Sequence, residues 1–414
     1  MGSAVGSEDT STGERALAGL LESSHYAAPE EMASLVAHHA GELGAQEAVM
    51  YLVGFEQRLL VPLPGDGVPQ REAISVDHTL GGRAFRTIEV MRREVGDGLR
   101  LWVPMLNGTA RVGVLELVLP CADTLTEGRA RAFAGLVATL VITKGLYGDV
   151  FTLTRRTEPM SLAAEMQWEL LPPLTFSDGR VTISGVLEPS HRVAGDTFDY
   201  ALNDGCLHLL VIDAMGHGFE ATLMATVVIG VYRHARRRGL TLPETYAAMD
   251  DAINRQFGLD QFVTGQLAEL DTATGQLRWL NAGHPPPLLT RGQHVIGGLS
   301  CEPTLPIGFG GAVVEVVEYQ LEPGDRLVFV TDGVLEARAP DGDFFGEARL
   351  GDQLLRATMA DEPAPETVRR LTSAVMEHQD GPLRDDATVV LVEWSGRERT
   401  SPLTIGRSWP RPPA

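Results

Sequence analysis

The spacing of apolar residues predicts a small α/β domain in the first third of the chain. Residues 30–43 repeat apolar positions every three to four residues, as an amphipathic helix does. Short apolar runs predict strands at 48–53, 101–105 and 112–119. Thr124 and Glu127 form a capping-box pair that predicts the start of a further helix. We therefore expect a first domain at residues 25–147.

A longer segment, rich in predicted strands, follows. Residues 147–171 contain few turn-forming residues and predict one connecting helix, which Pro172 and Pro173 end. Beyond it, apolar runs predict strands at 181–187, 207–213, 266–271, 277–281, 313–321, 326–331 and 388–394. Helical spacing predicts helices at 220–238, 243–257, 347–359 and 365–378. Strands that mostly follow one another indicate antiparallel sheets covered by helices, an α/β sandwich, rather than a doubly wound parallel sheet.

These patterns predict an α+β protein of two folded domains with a connecting helix between them. The expected segments are a disordered start at 1–24, a first domain at 25–147, a linker helix at 148–173, a sandwich domain at 174–395 and a disordered tail at 396–414.

Charge narrows the possible partners. The chain has 414 residues, and its 55 acidic and 34 basic residues give a net charge of -21. Such an excess repels nucleic acid and anionic lipid, so we expect neither a nucleic-acid partner nor membrane insertion. We also identify no apolar run of membrane-spanning length and no secretory signal. Because Cys121, Cys206 and Cys301 form no CxxC pair, we expect buried thiols and a cytoplasmic location.

Four aspartates carry the candidate chemistry. Asp196, Asp213, Asp332 and Asp385 each fall at a strand end or in an adjoining loop, beside glycine or another carboxylate. Any one of them taken singly is more simply explained as a turn residue, but four in one domain indicate a site. Grouped carboxylates repel each other, so a divalent metal best stabilises them. An all-oxygen ligand set favours Mg²⁺ or Mn²⁺ over zinc, and two such ions can activate a water for attack on phosphorus.

The region from about 164 to 394 resembles the SpoIIE-like bacterial branch of the protein phosphatase 2C family, which are metal-dependent serine/threonine phosphatases. The landmarks that carry the resemblance occur in order at 167–172, 195–200, 213–218, 262–264, 281–284, 323–325, 331–334 and 385–388. The resemblance implies an α-β-β-α sandwich with two antiparallel sheets, and a phosphatase for phosphoserine or phosphothreonine. It also implies a phosphorylated anti-sigma-factor antagonist, or a similar regulatory protein, as the substrate.

The resemblance also implies a role for each residue of the site. Catalysis falls to Asp196, Asp213, Asp332 and Asp385. Two Mn²⁺ or Mg²⁺ ions would be held by the backbone carbonyl of Ala214 and by the carboxylates of five aspartates, Asp196, Asp213, Asp332, Asp385 and Asp386. Asp386 ranks below Asp385, because relatives can carry asparagine there. The roles of His191, Arg192, His217 and His284 stay open.

The first domain resembles a GAF sensor domain in its helix, its glycine-bearing turn at Gly81 and Gly82, and its strands at 101–105 and 113–117. The resemblance implies a small-molecule ligand, but a structural or dimerising domain without a ligand is an equal alternative. It further implies that the linker helix carries the state of the sensor to the metal site, and that the protein is a homodimer.

Other functions remain to be weighed against the phosphatase. One is a catalytically inactive module that binds and sequesters the same partner, and another is a receptor whose output is dimerisation. A nucleotide cyclase or a nuclease also uses metals on aspartates. The chain has no phosphate-binding glycine-rich loop with lysine, and its acidic charge opposes nuclease action.

Overall fold

The computed structural model describes residues 5–188, 195–258, 260–299, 301–311, 314–380, 383 and 385–396. The chain divides between Glu158 and Pro159 into two compact units, so the boundary falls inside the predicted linker. His191, Arg192 and the predicted tail beyond Gly396 lie outside the described residues.

The first unit is built on one antiparallel sheet with strand order β3-β2-β1-β6-β5-β4. Its strands are β1 Glu47–Val53, β2 Leu59–Pro62, β3 Ile74–Ser75, β4 Met91–Val95, β5 Gly98–Asn107 and β6 Ala110–Leu119. Its helices are α1 Val5–Ser24, α2 Met32–Glu42, α3 Leu80–Thr87, α4 Thr124–Lys144 and α5 Val150–Arg155.

Strand alternation gives this sheet two different faces. Leu101 and Val103 point to the face that packs against α1, α2 and α4, where Phe133 is fully buried. Trp102 lies on the opposite face with Tyr51, and among the described helices the short α3 packs there through Phe85. Side chains on this second face are therefore less completely covered by helices.

Helix α4 is more apolar than expected. With the turn that follows it, residues Thr124–Tyr147 are long and apolar enough to cross a membrane, by length and composition only. The expectation that no segment reaches this length is therefore wrong. In the structure Phe133, Val137 and Val141 of this helix pack into the core of the first unit.

Several local predictions for the first part of the chain are also wrong. Residues 5–24 form α1 rather than a disordered start, and Gly81 and Gly82 lie within helix α3 rather than in a turn. The cap of α4 is Asp123, whose carboxylate accepts a hydrogen bond from the backbone N–H of Thr126.

The predicted linker helix at 148–173 is also wrong as a single helix. It is replaced by α5 and by α6 Leu162–Leu170, with non-helical residues between them. Pro159 disfavours helical geometry at the residue before it, and Ser161 starts α6 as its N-cap.

The second unit contains the remaining elements. Its strands are β7 Thr175–Ser177, β8 Val181–Glu188, β9 Asp196–Asn203, β10 Cys206–Ala214, β11 Val263–Asp271, β12 Gln276–Ala282, β13 Leu288–Arg291, β14 His294–Gly298, β15 Val317–Gln320, β16 Asp325–Val330 and β17 Ala387–Trp394. Besides α6, its helices are α7 Phe219–Arg237, α8 Leu242–Phe257, α9 Asp332–Leu335, α10 Gly346–Met359 and α11 Ala364–Gln379.

These strands form two antiparallel sheets, with orders β15-β12-β11-β10-β9 and β14-β13-β16-β17-β8-β7. Phe198, Trp279 and Phe329 lie fully buried in the core that joins the two sheets. Helices α7 and α8 cover the first sheet through a separate apolar cluster, and α10 and α11 cover the second. The predicted pair of antiparallel sheets flanked by helices is confirmed.

Candidate metal centre

The first two predicted aspartates are cross-strand neighbours. Asp196 is the first residue of β9, and Asp213 is the penultimate residue of β10, directly opposite it in the antiparallel ladder. Asp196 is 3 % exposed, whereas Asp213 is partly exposed. Directly opposed like charges destabilise a sheet, so this pairing points to a site that receives a cation.

The other carboxylates come from the second sheet. Asp332 follows β16 and begins α9, while Asp385 and Asp386 come just before β17. A Cβ on Gly333 would lie 1.9 Å from the carbonyl oxygen of Asp386. Only glycine permits this close approach, which brings the end of β16 against the segment before β17.

Hydrogen bonds fix the buried members of the cluster. The hydroxyl of Thr331 donates to Oδ2 of Asp196 at 2.6 Å and accepts from the backbone N–H of Thr388 at 3.0 Å. The backbone N–H of Gly195 donates to Oδ2 of Asp386 at 3.1 Å. Residues of both sheets therefore hold these carboxylates in place.

The cluster crowds negative charge in a partly buried place. Burial raises the pKa of Asp196 well above its usual range, and Asp213 and Asp386 raise it further. Burial also raises the pKa of Asp213 to about 7, and the next largest causes are the charges of Asp332 and Asp385. The pKa of Asp385 is raised as well, chiefly by burial. The structure thus brings all five predicted aspartates into one electrostatic cluster.

This cluster fits a hard divalent cation. Its donors are carboxylate oxygens, the ligands that Mg²⁺ and Mn²⁺ prefer. Ala214 follows Asp213 at the end of β10, and a Cβ on Gly195 would lie 2.7 Å from the carbonyl oxygen of Ala214. Glycine at position 195 therefore leaves that carbonyl uncovered, as the predicted role of Ala214 requires.

A glutamine that the sequence did not single out also reaches the cluster. Gln167, on α6, is 1 % exposed, and its Nε2 donates to Oδ2 of Asp386 at 2.8 Å and to the backbone carbonyl of Asp196. Gln167 is the first residue of the landmark at 167–172, but only the fold shows that its side chain reaches the aspartates. Helix α6 is therefore hydrogen-bonded directly to the candidate metal centre.

Cations at the end of a helix are usually solvated, but two arginines near the end of α7 make buried ion pairs. Arg233 and Arg236 each donate to the carboxylate of Asp199 at 2.7 Å, and Asp199 is 1 % exposed. Arg233 also donates to the carbonyl oxygen of Leu170, the last residue of α6, at 2.7 Å. These contacts fasten the end of α6 to β9 and α7.

The structure describes His217 and His284, two of the histidines whose roles the sequence left open. His217 is exposed, and its charge bears on Asp385, whose pKa it lowers in opposition to the larger effect of burial. His284 is 4 % exposed and hydrogen-bonds through Nδ1 to the hydroxyl of Thr264 at 2.8 Å. Burial lowers the pKa of His284 to about 4, so it is a neutral structural residue at pH 7.

Residues 203–395 match the family model for Stage II sporulation protein E (SpoIIE). This part of the chain is a SpoIIE domain of the PP2C phosphatase type. The SpoIIE domain contains Asp213, Asp332, Asp385 and Asp386, whereas Asp196 and Gln167 precede the matched residues.

Individual relatives share the same region. The chain is 21% identical over 239 residues to phosphoserine phosphatase RsbU of Bacillus subtilis, a match that covers 56% of this chain and 69% of RsbU. It is 27% identical over 203 residues to phosphoserine phosphatase RsbP of the same organism, covering 46% of this chain and 48% of RsbP. The chain spans between 39% and 69% of the length of the first curated relatives that it matches.

Among solved structures, the RsbU and RsbW domains of Rv1364c from Mycobacterium tuberculosis are 25% identical in sequence, with a TM-score of 0.46. That likeness covers 52% of this chain and 61% of the other.

Proposed function

We propose that this protein is a Mn²⁺- or Mg²⁺-dependent phosphatase that removes phosphate from serine or threonine of a partner protein. The observation that carries the proposal is the cluster of five aspartates at the ends of two sheets, of which Asp196 and Asp386 are buried. Four of the five lie in the part of the chain that matches the SpoIIE family model. Relatives described as phosphoserine phosphatases support the same reaction. By that resemblance, a phosphorylated anti-sigma-factor antagonist or a similar regulatory protein is the proposed substrate.

The carboxylates of Asp196, Asp213, Asp332, Asp385 and Asp386, with the backbone carbonyl of Ala214, would hold two divalent ions. Divalent metal, when bound, supplies the Lewis acid that lowers the pKa of a water and offsets the charge of the phosphate.

The residues of the chain position and bury the carboxylates that would hold the metal. Thr331 orients Asp196, and Gly195 orients Asp386 through its backbone N–H. Because these partners come from both sheets, the carboxylate positions do not have to be created when the ions bind.

We further propose that the first unit is a GAF-like sensor of a small molecule, and that α6 carries its state to the metal centre. The hydrogen bonds from Gln167 to Asp386 and Asp196 support this route, because a shift of α6 would move two carboxylate-bearing segments. A homodimer and a cytoplasmic location belong to the same proposal. The three cysteines form no disulfide, which supports the cytoplasmic location. The expectation of buried thiols is wrong, because Cys121 is exposed and Cys206 and Cys301 are partly exposed.

The test is hydrolysis of a phosphoserine peptide and of an aryl phosphate with Mn²⁺, Mg²⁺ or chelator. Asp213→Asn and Asp332→Asn should each lower kcat/KM at least about a hundredfold, since metal catalysis supplies several kcal/mol. Asp352→Asn is the matched control, because Asp352 is exposed on α10. It should leave turnover unchanged.

Loss of turnover with chelator and in both cluster variants would support the phosphatase. A folded protein that stays inactive with every metal, while still binding the phosphorylated partner, would replace the enzyme with the partner-sequestering module.

A further inference from the structure

The first unit contains a cavity of about 840 Å³ on the face of its sheet that α3 only partly covers. Strands β1, β5 and β6 form the floor, the loop between β2 and β3 forms one wall, and the start of α3 forms another. This volume lies in the range of small-molecule sites, roughly 300–1,000 Å³. None of its residues belongs to the metal centre.

The floor of the cavity carries a buried ion-pair network. Glu116, 3 % exposed, accepts a hydrogen bond from Nε of Arg71 at 3.3 Å and lies 3.6 Å from Nε of Arg100. Arg71 also pairs with Glu47. Burial and the charge of Glu116 raise the pKa of Tyr51 to about 12, so its phenol stays protonated. The Glu116 carboxylate is thus already engaged by cations and is a poor receptor for a further one.

Two arginines on this face have donor groups that no acceptor in the described chain fully satisfies. Arg93 on β4 stands directly opposite Arg100 on β5, and both line the cavity. Directly opposed like charges on neighbouring strands repel each other. Within the described chain Arg93 has no ion pair, and the buried Nε of Arg100 has no hydrogen-bond acceptor. An anion between the two guanidinium groups would relieve both conditions.

The rest of the lining favours an anion attached to a flat apolar group. The first turn of α3 faces the cavity with Thr79, Leu80 and Gly81, and a helix N-terminus favours negative charge. Trp102 and Ile74 supply an apolar wall. A Cβ on Gly81 would lie 3.0 Å from Cδ1 of Trp102, so glycine there lets the helix start approach the indole.

Charge decides the class of ligand. Three guanidinium groups line the cavity, and those of Arg71 and Arg100 are held by Glu116 and, for Arg71, also by Glu47. The third, of Arg93, has no ion pair in the described chain and is available to an anion. We propose that this cavity binds a small organic anion, a carboxylate or a phosphate, whose flat ring packs against Trp102 between the two opposed arginines. The proposal rests on the proposed sensor role of the first unit and names the ligand class for it.

The test is calorimetric titration of the full-length protein, in chelator, with benzoate, phenylphosphonate and neutral benzamide. Benzoate and phenylphosphonate represent the carboxylate and phosphate sources, and phenylphosphonate is not hydrolysed by a phosphatase. We expect saturable binding of at least one anion and at least tenfold weaker binding of benzamide. The chelator keeps the phosphonate from binding through metal at the aspartate cluster.

Arg93→Ala is the informative variant, because Arg93 is exposed and makes no ion pair in the described chain. It should weaken anion binding at least tenfold without changing the melting temperature. Glu116→Gln should tighten binding, since it removes a carboxylate that competes for Arg71 and Arg100. Arg131→Ala is the control: Arg131 is exposed on α4, on the other face of the sheet, and its loss should change nothing.

Absence of saturable binding by either anion would overturn the proposal, as would equal binding of benzamide and benzoate. Unchanged affinity in Arg93→Ala would overturn it as well. Aryl phosphate turnover with Mn²⁺, measured on the same preparations, separates the two claims. Turnover without anion binding rejects only the ligand class, and anion binding without turnover rejects only the phosphatase.

Discussion

At the residue scale, the carboxylates that would bind metal repel one another and so destabilise the folded state. Asp196 and Asp213 face each other across a β-ladder, and Asp332, Asp385 and Asp386 add further negative charge. Thr331 and Gly195 satisfy some of the carboxylate oxygens but do not neutralise their charge. When no cation is bound, each further carboxylate that ionises is repelled by those already charged, and this repulsion lowers the free energy of unfolding.

Asp213→Asn should therefore stabilise the metal-free protein while abolishing turnover. The native pKa of Asp213, about 7, lies above the ordinary value of 3.8, so the native state binds more protons than the unfolded state between these pH values. The stability of the wild-type protein relative to Asp213→Asn is thus highest below about pH 4 and falls as pH rises through 7. Urea unfolding in chelator, from pH 4 to 8, measures this difference.

Added Mn²⁺ should reverse the order at pH 8, because the wild-type site binds the ion and the variant has lost a ligand. Asp352→Asn, which alters an exposed carboxylate, should follow the wild-type curve. A variant that is less stable than wild type in chelator at pH 8 would contradict the account of repulsion.

At the element scale, α6 is positioned to control the site. Its middle is hydrogen-bonded to the aspartate cluster through Gln167, and its last carbonyl accepts from Arg233. Arg233 is in turn held by the buried Asp199. The same helix is thus anchored at one point in the candidate metal centre and at another on α7 and β9. Its displacement would break charge-assisted hydrogen bonds at both.

Gln167→Ala should lower kcat toward an aryl phosphate roughly 10–100-fold, the usual cost of losing a residue that orients metal ligands. Glu169→Ala is the matched control, because Glu169 is exposed on the same helix. Raising the Mn²⁺ concentration should partly restore Gln167→Ala, since its carboxylates remain present. Equal turnover in Gln167→Ala and wild type would remove α6 from the mechanism.

At the scale of the whole molecule, two units have separate apolar cores. The first unit buries its core on both faces of one sheet, and the second buries three clusters within and outside its sandwich. The candidate metal ligands all belong to the second unit. Metal binding should therefore stabilise that unit alone by mass action.

Calorimetric unfolding should accordingly resolve two transitions, of which Mn²⁺ raises one. At 100 times the dissociation constant, the ion adds about 2.7 kcal/mol to the stability of the unit that binds it. Asp332→Asn should remove this shift and leave the other transition unchanged. Equal shifts of both transitions would mean that the two units unfold as one cooperative body.

Much of the secondary structure was predictable because it depends on local pattern. The strands at 48–53, 207–213 and 388–394 were each predicted to within one or two residues, as were α7 and α8. Their apolar periodicity is strong, and their ends carry breakers or caps. By contrast, β3 and β7 contain two and three residues, too few for any periodicity to appear.

The residue types of the second unit are visible in its sequence, which places aspartates beside glycines at strand ends and so indicates the class of cation that suits them. The folded structure was needed to show that Asp196 faces Asp213, that Gln167 reaches Asp386, and that Arg233 and Arg236 pair with Asp199. Likewise, no local pattern placed Arg93 opposite Arg100. Strand register and sheet packing set these distances, and both depend on contacts between residues far apart in the chain.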